Sequence, residues 1–155
     1  MNSSENTIER QIEISAPINK VWAALTDAKL FSQWFGANLQ TPFVVGRTTK
    51  ATNPNKDFEM EFIVKEIKPQ SYFAYAWHPY PMDKTIDYSK EEPTLVEFHL
   101  EETTQGTLLK VKESGFNHIT ASRRAEAYKM HTGGWEAQVK NIEAFLVGNN
   151  EFIRC

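Results

Sequence analysis

Polar and apolar residues alternate along the first part of the chain with the period of two that a half-buried β-strand requires. From residue 8 to residue 15, three isoleucines and Arg10 fall on one face, and polar side chains fall on the other. The same alternation recurs further along the chain and predicts five more strands. Their ranges are 43–52, 58–65, 71–78, 94–102 and 107–114. Because turn residues separate most of them, we expect one antiparallel sheet with a solvated outer face.

Helices are predicted where the spacing of apolar residues becomes that of an α-helix. Pro17 lies in the first turn of the first helix, where its missing N–H costs nothing. Asp27 is placed to cap a second short helix, which Gly36 ends. A much longer helix follows Thr120 and carries one continuous apolar stripe. The stripe consists of Tyr128, Thr132, Trp135, Val139, Ile142 and Leu146.

Together these elements predict an α+β architecture of the helix-grip kind. We expect a six-stranded curved antiparallel sheet, two short helices after the first strand, and a long C-terminal helix across the concave face. Only that helix is long enough to cover a sheet face, and a strongly twisted sheet curls around such a helix. Helix and sheet then cannot touch everywhere, so we expect a cavity between them. The length suits a single domain, 1–155, with 1–6 and 149–155 as loose tails.

Two segments depart from this regular pattern. Gly133 and Gly134 interrupt the long helix at a cost of about 1 kcal/mol each relative to Ala. We expect the helix to kink or begin there, or its backbone to approach the sheet or a ligand closely. The connection from Pro79 to Pro93 is long for a compact domain. It is either a lid or binding element, or an extended hairpin tip.

Composition and charge narrow the classes of function. The net charge is −3, and no basic cluster exceeds Arg123-Arg124, which argues against nucleic-acid binding. The polar segment 1–7 lacks the features of a signal peptide, and no apolar run is long enough for membrane insertion. The one cysteine, Cys155, excludes a disulfide within the chain, so we expect a cytoplasmic protein. Aromatic residues make up 12% of the chain, which indicates either a bulky core or the walls of an apolar pocket.

The histidines and the cysteine show none of the spacings of a metal site, and we expect no metal and no cofactor. His99 lies on the outward face of its strand and is expected to be solvated. His131 lies one helical turn from Trp135, either at the edge of a pocket or on the helix surface. The motifs of nucleophilic catalysis, phosphate binding and dinucleotide binding do not occur, so no catalytic residue is assigned.

Arg10 and Glu113 are the charged residues that break the apolar faces of their strands. Those two strands are candidates for neighbours in the sheet, and a buried charge is costly unless it is paired. We expect a cross-strand ion pair near the sheet rim, or a polar handle that orients a ligand. If the pocket is catalytic, the two residues would form a general acid/base pair.

The residues also resemble a known family. Positions 12–27, IEISAPINKVWAALTD, resemble the START-like (SRPBCC) superfamily, in the branch similar to the activator of the heat-shock-protein-90 ATPase. Glu113-Ser114-Gly115-Phe116 and Gly133-Gly134-Trp135 are similar to the same branch. The resemblance implies a START/Bet v-like fold with a ligand cavity between helix and sheet. The superfamily uses this fold for lipid and sterol carriage, hormone binding, polyketide cyclisation and co-chaperone contact, so fold alone does not choose a function.

Three hypotheses follow. The first is binding of a small hydrophobic or amphipathic ligand, lipid- or polyketide-like, by a monomer or weak homodimer. The second is a co-chaperone-like domain acting on a heat-shock ATPase in a stress response, and the third is a cyclase or hydrolase acting on an aromatic substrate. The residues expected to line the cavity are Arg10, Trp34, Phe62, Trp77, Phe98, Glu113, Phe116, Tyr128, His131 and Trp135.

Overall fold

The structure is a computed structural model that describes residues 6–53, 59–79 and 85–148. These residues form seven strands and three α-helices, in an α+β arrangement. The strands are β1 (Thr7–Ile14), β2 (Asn38–Leu39), β3 (Thr48–Thr52), β4 (Glu59–Lys68), β5 (Tyr72–Trp77), β6 (Thr94–Thr103) and β7 (Gly106–Ser114). The helices are α1 (Ile18–Thr26), α2 (Ala28–Phe35) and α3 (Ala121–Val147).

All seven strands join one antiparallel sheet in the order β1-β7-β6-β5-β4-β3-β2. Strands β2 to β7 form a continuous meander, as the spacing of turns predicted. The first strand, β1, forms the other edge of the sheet and pairs with the last strand, β7. Thr7 lies opposite Ser114. This pairing confirms that the strands of Arg10 and Glu113 are neighbours.

The predicted number of six strands is wrong because β2 is a two-residue edge strand. Asn38 and Leu39 pair with the end of β3, and two residues are too few to show an alternating pattern. The strand predicted over 43–52 is also shorter than expected and begins at Thr48. Val44 and Val45 are exposed in a turn that the Arg47 amide closes onto the Val44 carbonyl. Their β-branched side chains favour strands, but they face solvent outside the sheet.

The two short helices form as their sequence signals predicted. Pro17 precedes the first residue of α1, and its carbonyl accepts from the amides of Lys20 and Val21. The Asp27 carboxylate caps α2 by accepting from two backbone amides, at 2.9 and 3.1 Å. Gly36 ends α2 in the left-handed conformation, with φ of 86°. This helical corner places Phe31 and Trp34 in the core.

The long helix α3 lies across the sheet and presents the predicted stripe to the core. Trp135, Val139 and Ile142 are buried, and the ends of the stripe are half-buried. Four residues of β6 and β7 are buried as well, namely Val96, Phe98, Leu109 and Val111. Helix and sheet therefore share one core, to which α1 and α2 contribute.

Gly133 and Gly134 lie inside α3 and do not break it. Both residues are exposed, and a Cβ added at either one would meet no described atom within 4 Å. The expectations that the helix begins there, or that its backbone approaches the sheet closely there, are therefore wrong. The two glycines weaken the middle of α3 without any gain in packing among the described residues.

The described part of the connection between β5 and β6 is fastened to the start of α3. Glu91 and Arg123 form an ion pair in which both side chains are largely buried. The Glu91 carboxylate also accepts from the backbone amide of Thr120, which precedes the helix, at 3.1 Å. Arg123 donates to the carbonyl of Pro79 at 2.8 Å and lies over the ring of Tyr88. Residues 80–84 of this connection lie outside the described residues.

Candidate functional site

The centre of the candidate site is the carboxylate of Glu113, which is fully buried. Its strand, β7, turns this residue toward α3, on the same face as Val111. One carboxylate oxygen, Oε2, accepts from the indole N–H of Trp77 on β5 at 2.8 Å. The same oxygen accepts from the hydroxyl of Thr94 on β6 at 2.5 Å. Three adjacent strands therefore meet at this oxygen.

The other oxygen, Oε1, faces the long helix. The indole N–H of Trp135 donates to it at 2.8 Å, and Nδ1 of His131 lies 2.6 Å away. These two residues are four positions apart and share one face of α3. With two donors on each oxygen, the hydrogen-bonding capacity of the carboxylate is filled. Glu113 thus links the sheet to the helix through four polar contacts inside an apolar core.

Electrostatics keep Glu113 ionised despite its burial. Burial by itself raises the pKa of a carboxyl group, because the charged form loses its hydration. At Glu113 the neighbouring His131 and the donated hydrogen bonds outweigh that effect, and the pKa lies below its ordinary value. The site therefore holds a negative charge in the interior of the protein.

The expected ion pair between Arg10 and Glu113 does not form. Arg10 lies opposite Val111 rather than Glu113, and its guanidinium reaches α3. There it pairs with Glu136 at 3.2 Å and donates to the carbonyl of Thr132 at 3.4 Å. The helix supplies His131 to Glu113 instead, so the partner of the buried charge comes from α3 and not from the neighbouring strand.

Aromatic rings surround the buried carboxylate. Trp135 lies 6.0 Å from Trp77 and 5.8 Å from Phe98, measured between ring centroids. His131 lies 5.4 Å from Trp77 and 6.0 Å from Phe116, with its plane turned nearly perpendicular to both rings. The carboxylate is thus held within an apolar and aromatic environment.

Six of the ten predicted lining residues meet at this centre: Trp77, Phe98, Glu113, Phe116, His131 and Trp135. Phe62 and Tyr128 lie one ring further out, against Trp77 and Phe116 respectively. Trp34 packs in the helical corner, where its indole donates to the carbonyl of Ala24. Arg10 pairs with Glu136 on α3 instead, as described above. The His131 side chain is only 17% exposed, and its Nδ1 faces Glu113.

Tyr75 is a residue of this interior that our list of lining residues omitted. Its side chain is fully buried on β5, and its hydroxyl has no hydrogen-bond partner among the described residues. Burial raises the pKa of this phenol well above its usual value, and the charge of Glu113 raises it further. Its inward position, two residues before Trp77, is the sequence signal that identifies it.

His78, the residue after β5, has a similar feature. Its Nδ1 is buried and also lacks a partner among the described residues. Burial lowers the pKa of this imidazole, and the nearby charges of Glu91 and Arg123 act on it in opposite directions. Two buried polar atoms near the end of β5, the Tyr75 hydroxyl and His78 Nδ1, therefore form no hydrogen bond with described protein atoms.

Other kinds of site have less support. Within residues 6–53, 59–79 and 85–148, three or more His, Cys, Asp or Glu side chains never converge as a metal site would require. The described helices also include none with the length and apolar character needed to cross a membrane.

A curved antiparallel sheet covered by one long C-terminal helix is the fold of the START-like class of helix-grip proteins. Within that class, the model of the family described as "Activator of Hsp90 ATPase homolog 1-like protein" matches residues 15–147, and the chain belongs to that family. The resemblance noted from the residues is confirmed. No curated protein matched the sequence.

Solved structures with the same fold come from several bacteria. Protein MLL2253 of Mesorhizobium loti is 23% identical, with a TM-score of 0.75 over 94% of this chain and 99% of its own. The Aha1 dimer of Colwellia psychrerythraea is 19% identical, with a TM-score of 0.73 over 94% and 98%. DynU16, a putative protein in the dynemicin biosynthetic locus, is 21% identical, with a TM-score of 0.70 over 92% of this chain and 47% of its own. At these identities the likeness concerns the fold alone.

Proposed function

We propose that the protein binds a small hydrophobic or amphipathic molecule between the sheet and α3, beside Tyr75 and Glu113. The observation that carries this proposal is the hydroxyl of Tyr75, which is fully buried and unpaired among the described residues. A buried hydroxyl without a partner costs roughly 1–3 kcal/mol, and folded proteins satisfy nearly all such groups. A bound molecule with a hydrogen-bond acceptor would remove that cost.

The surroundings of the hydroxyl favour a mostly apolar ligand. The ring of Tyr75 lies 4.9 Å from Phe62 and 5.1 Å from Trp77, so the hydroxyl stands among aromatic side chains. Glu113 has no acceptor capacity left for a ligand, because four donors already fill it. An apolar body with a few polar atoms is what such an interior holds best.

The direct experiment is extraction of the protein with organic solvent, followed by mass spectrometry of the extract and native mass spectrometry of the protein. We expect a copurifying molecule, or uptake of an apolar probe, at a ratio of one per chain. A protein that carries no molecule and takes up no probe would contradict the proposal. A single buried water molecule at Tyr75 is then the explanation of the unpaired hydroxyl.

Two tyrosine substitutions on β5 test whether the Tyr75 hydroxyl contacts the bound molecule. Tyr75→Phe removes the unpaired hydroxyl and should weaken binding of the extracted molecule about tenfold, the effect of one lost hydrogen bond. Tyr72→Phe is the matched control, since the Tyr72 hydroxyl donates to Glu97 at 2.6 Å, away from Glu113. Equal affinities in both variants and the wild type would remove Tyr75 from the binding site.

A second candidate is contact with a heat-shock ATPase, which the description of the family favours. It predicts that the purified protein changes the rate of ATP hydrolysis by the chaperone. A saturating excess of this protein that leaves the rate unchanged would remove this candidate, and it would leave ligand binding untouched.

A further inference from the structure

We propose that the turn between β2 and β3 docks on a membrane surface that contains anionic lipids. We call residues 43–47 the docking turn. Two adjacent valines stand out in it, because Val44 is 46% exposed and Val45 is 52% exposed. Contact with a membrane through these valines is independent of the binding of a molecule between the sheet and α3.

The docking turn has a defined shape that holds the valines in solvent. Phe43, which precedes them, is buried, with its ring 5.1 Å from that of Phe73. Gly46, which follows them, adopts the left-handed conformation with φ of 85°, which glycine reaches without strain. Its amide donates to the Val64 carbonyl at 2.9 Å, and the Val64 amide donates to the Arg47 carbonyl at 3.0 Å. Hydrogen bonds to β4 and the buried ring of Phe43 therefore fix the exposure of the valines.

An exposed apolar pair in a fixed turn is a different feature from a scattered apolar residue. Single apolar side chains are common on protein surfaces and need no explanation. Adjacent apolar side chains that the backbone holds outward indicate a surface for contact with a partner or a membrane. The two valines contribute little to the core, so their value to the protein lies in such a contact.

Two cations accompany the valines. Arg47 follows them directly, and Lys65 follows Val64, the β4 residue that holds the turn. Both cations are exposed, and the ion pairs among the described residues include neither of them. The acid next to Lys65 in the sequence, Glu66, lies 3.8 Å from Lys68. From residue 30 to residue 49, Arg47 is the only charged residue. The docking turn is therefore apolar and locally positive.

This combination of charge and exposure favours a lipid surface over other occupants. Apolar side chains can enter the interface of the bilayer, while neighbouring cations are attracted to anionic headgroups. The whole chain carries a net charge of −3, so its overall charge opposes contact with such a membrane and the local positive charge has to provide the attraction. A symmetric contact between two copies would place the same patch on itself and bring like cations together.

Cosedimentation with lipid vesicles tests the proposal. We expect the protein to bind vesicles of phosphatidylcholine and phosphatidylglycerol. Binding to vesicles of phosphatidylcholine alone should be at least about fivefold weaker, the contribution of one cation near an anionic surface. A higher salt concentration should reduce the difference between the two kinds of vesicle, because salt screens exposed charges.

Two valine substitutions test the apolar part of the contact. Val45→Ser should weaken binding to the mixed vesicles about tenfold, because it removes apolar surface from the contact. Val147→Ser is the matched control, since Val147 is 50% exposed at the end of α3. That substitution should leave binding unchanged. Equal losses in the two variants would show that the effect is not specific to the docking turn, and the inference would fail.

Two further substitutions test the charge. Arg47→Gln should weaken binding to the mixed vesicles about fivefold and have little effect with phosphatidylcholine alone. Lys140→Gln is the control, because Lys140 is an exposed cation on α3, and this substitution should change neither. If Val45→Ser does not fold, as judged by far-UV circular dichroism, Arg47→Gln and its control decide the question.

The remaining outcomes each overturn the inference. One is failure of the wild-type protein to bind the mixed vesicles, and another is binding that neither Val45→Ser nor Arg47→Gln weakens. A third is a dimer in analytical ultracentrifugation that Val45→Ser dissociates, without binding to vesicles, which would assign the docking turn to a contact between copies. The extraction experiment decides the proposed binding of a ligand separately from all of these.

Discussion

At the scale of single residues, a buried negative charge has to be compensated by groups that reach it from several directions. Glu113 meets this requirement with two indoles, one hydroxyl and one imidazole, all within 2.8 Å. The substitution Glu113→Gln replaces the carboxylate by an amide. The amide oxygen can still accept hydrogen bonds, but the NH₂ group is itself a donor and would face donors. The effect of a conservative substitution should therefore be large.

We predict that Glu113→Gln lowers the free energy of unfolding by about 3 kcal/mol at pH 7, as for a broken buried ionic contact. The matched control is Glu101→Gln on β6. Glu101 is exposed, and its ion pair with Lys110 is long, at 3.9 Å. That substitution should change stability by less than about 0.5 kcal/mol. Urea unfolding measures both values, and a small effect at Glu113 would contradict its central role.

The same residue predicts a dependence of stability on pH. Because the pKa of Glu113 is lower in the folded protein than in the unfolded chain, the stability it contributes is complete above about pH 5. It is lost as the pH falls through the folded-state pKa. The stability difference between the wild type and Glu113→Gln should therefore narrow when urea unfolding is repeated at pH 3. A difference that stays constant would show that the charge is not the cause.

Tyr75 allows a prediction of the opposite sign. Tyr75→Phe removes a hydroxyl that lacks a partner among the described residues, so the ligand-free protein should become more stable by about 1 kcal/mol. Urea unfolding after solvent extraction checks this expectation. A loss of stability would instead mean that the hydroxyl is hydrogen-bonded in the ligand-free protein, for example to a buried water molecule.

At the scale of secondary-structure elements, the weak point is the middle of α3. Gly133 and Gly134 are exposed and have open space where a side chain would begin. Helix propensity therefore predicts that each substitution by Ala stabilises the protein by about 1 kcal/mol. Gly106→Ala is the contrasting control, since its Cβ would lie 2.1 Å from the carbonyl oxygen of Ile14. Thermal unfolding should separate the two cases, and destabilisation at both helical glycines would indicate a constraint outside the described contacts.

The elements differ in how well the sequence predicts them. Alternation and helical spacing predicted the long strands and α3, because burial on one face is a local and periodic requirement. They did not predict β2, which is only two residues long, or the turn containing Val44 and Val45. In the site, both Glu113 and His131 stood out in the sequence, but the contact between them did not. Register and helix position decide that contact, and neither is encoded in local periodicity.

At the scale of the whole molecule, α3 and the sheet should unfold together. The helix covers residues from several strands, and Glu113 links it to three of them through buried polar contacts. Far-UV circular dichroism reports on α3, and the fluorescence of Trp77 and Trp135 reports on the site. We predict that urea transitions followed by the two signals coincide, as in two-state unfolding. A loss of helix signal before the change in fluorescence would contradict this coupling.

The pairing of β1 with β7 has a consequence for how the chain is made. Each residue of β1 finds its partner roughly one hundred residues later in the chain, as Ile8 does at Glu113. At about 5–20 residues per second, β1 is synthesised about 5–20 seconds before β7. During that interval the backbone of β1 has no strand to pair with, whereas the hairpins of the meander can form one after another. The sheet is therefore completed by the segment that was synthesised first.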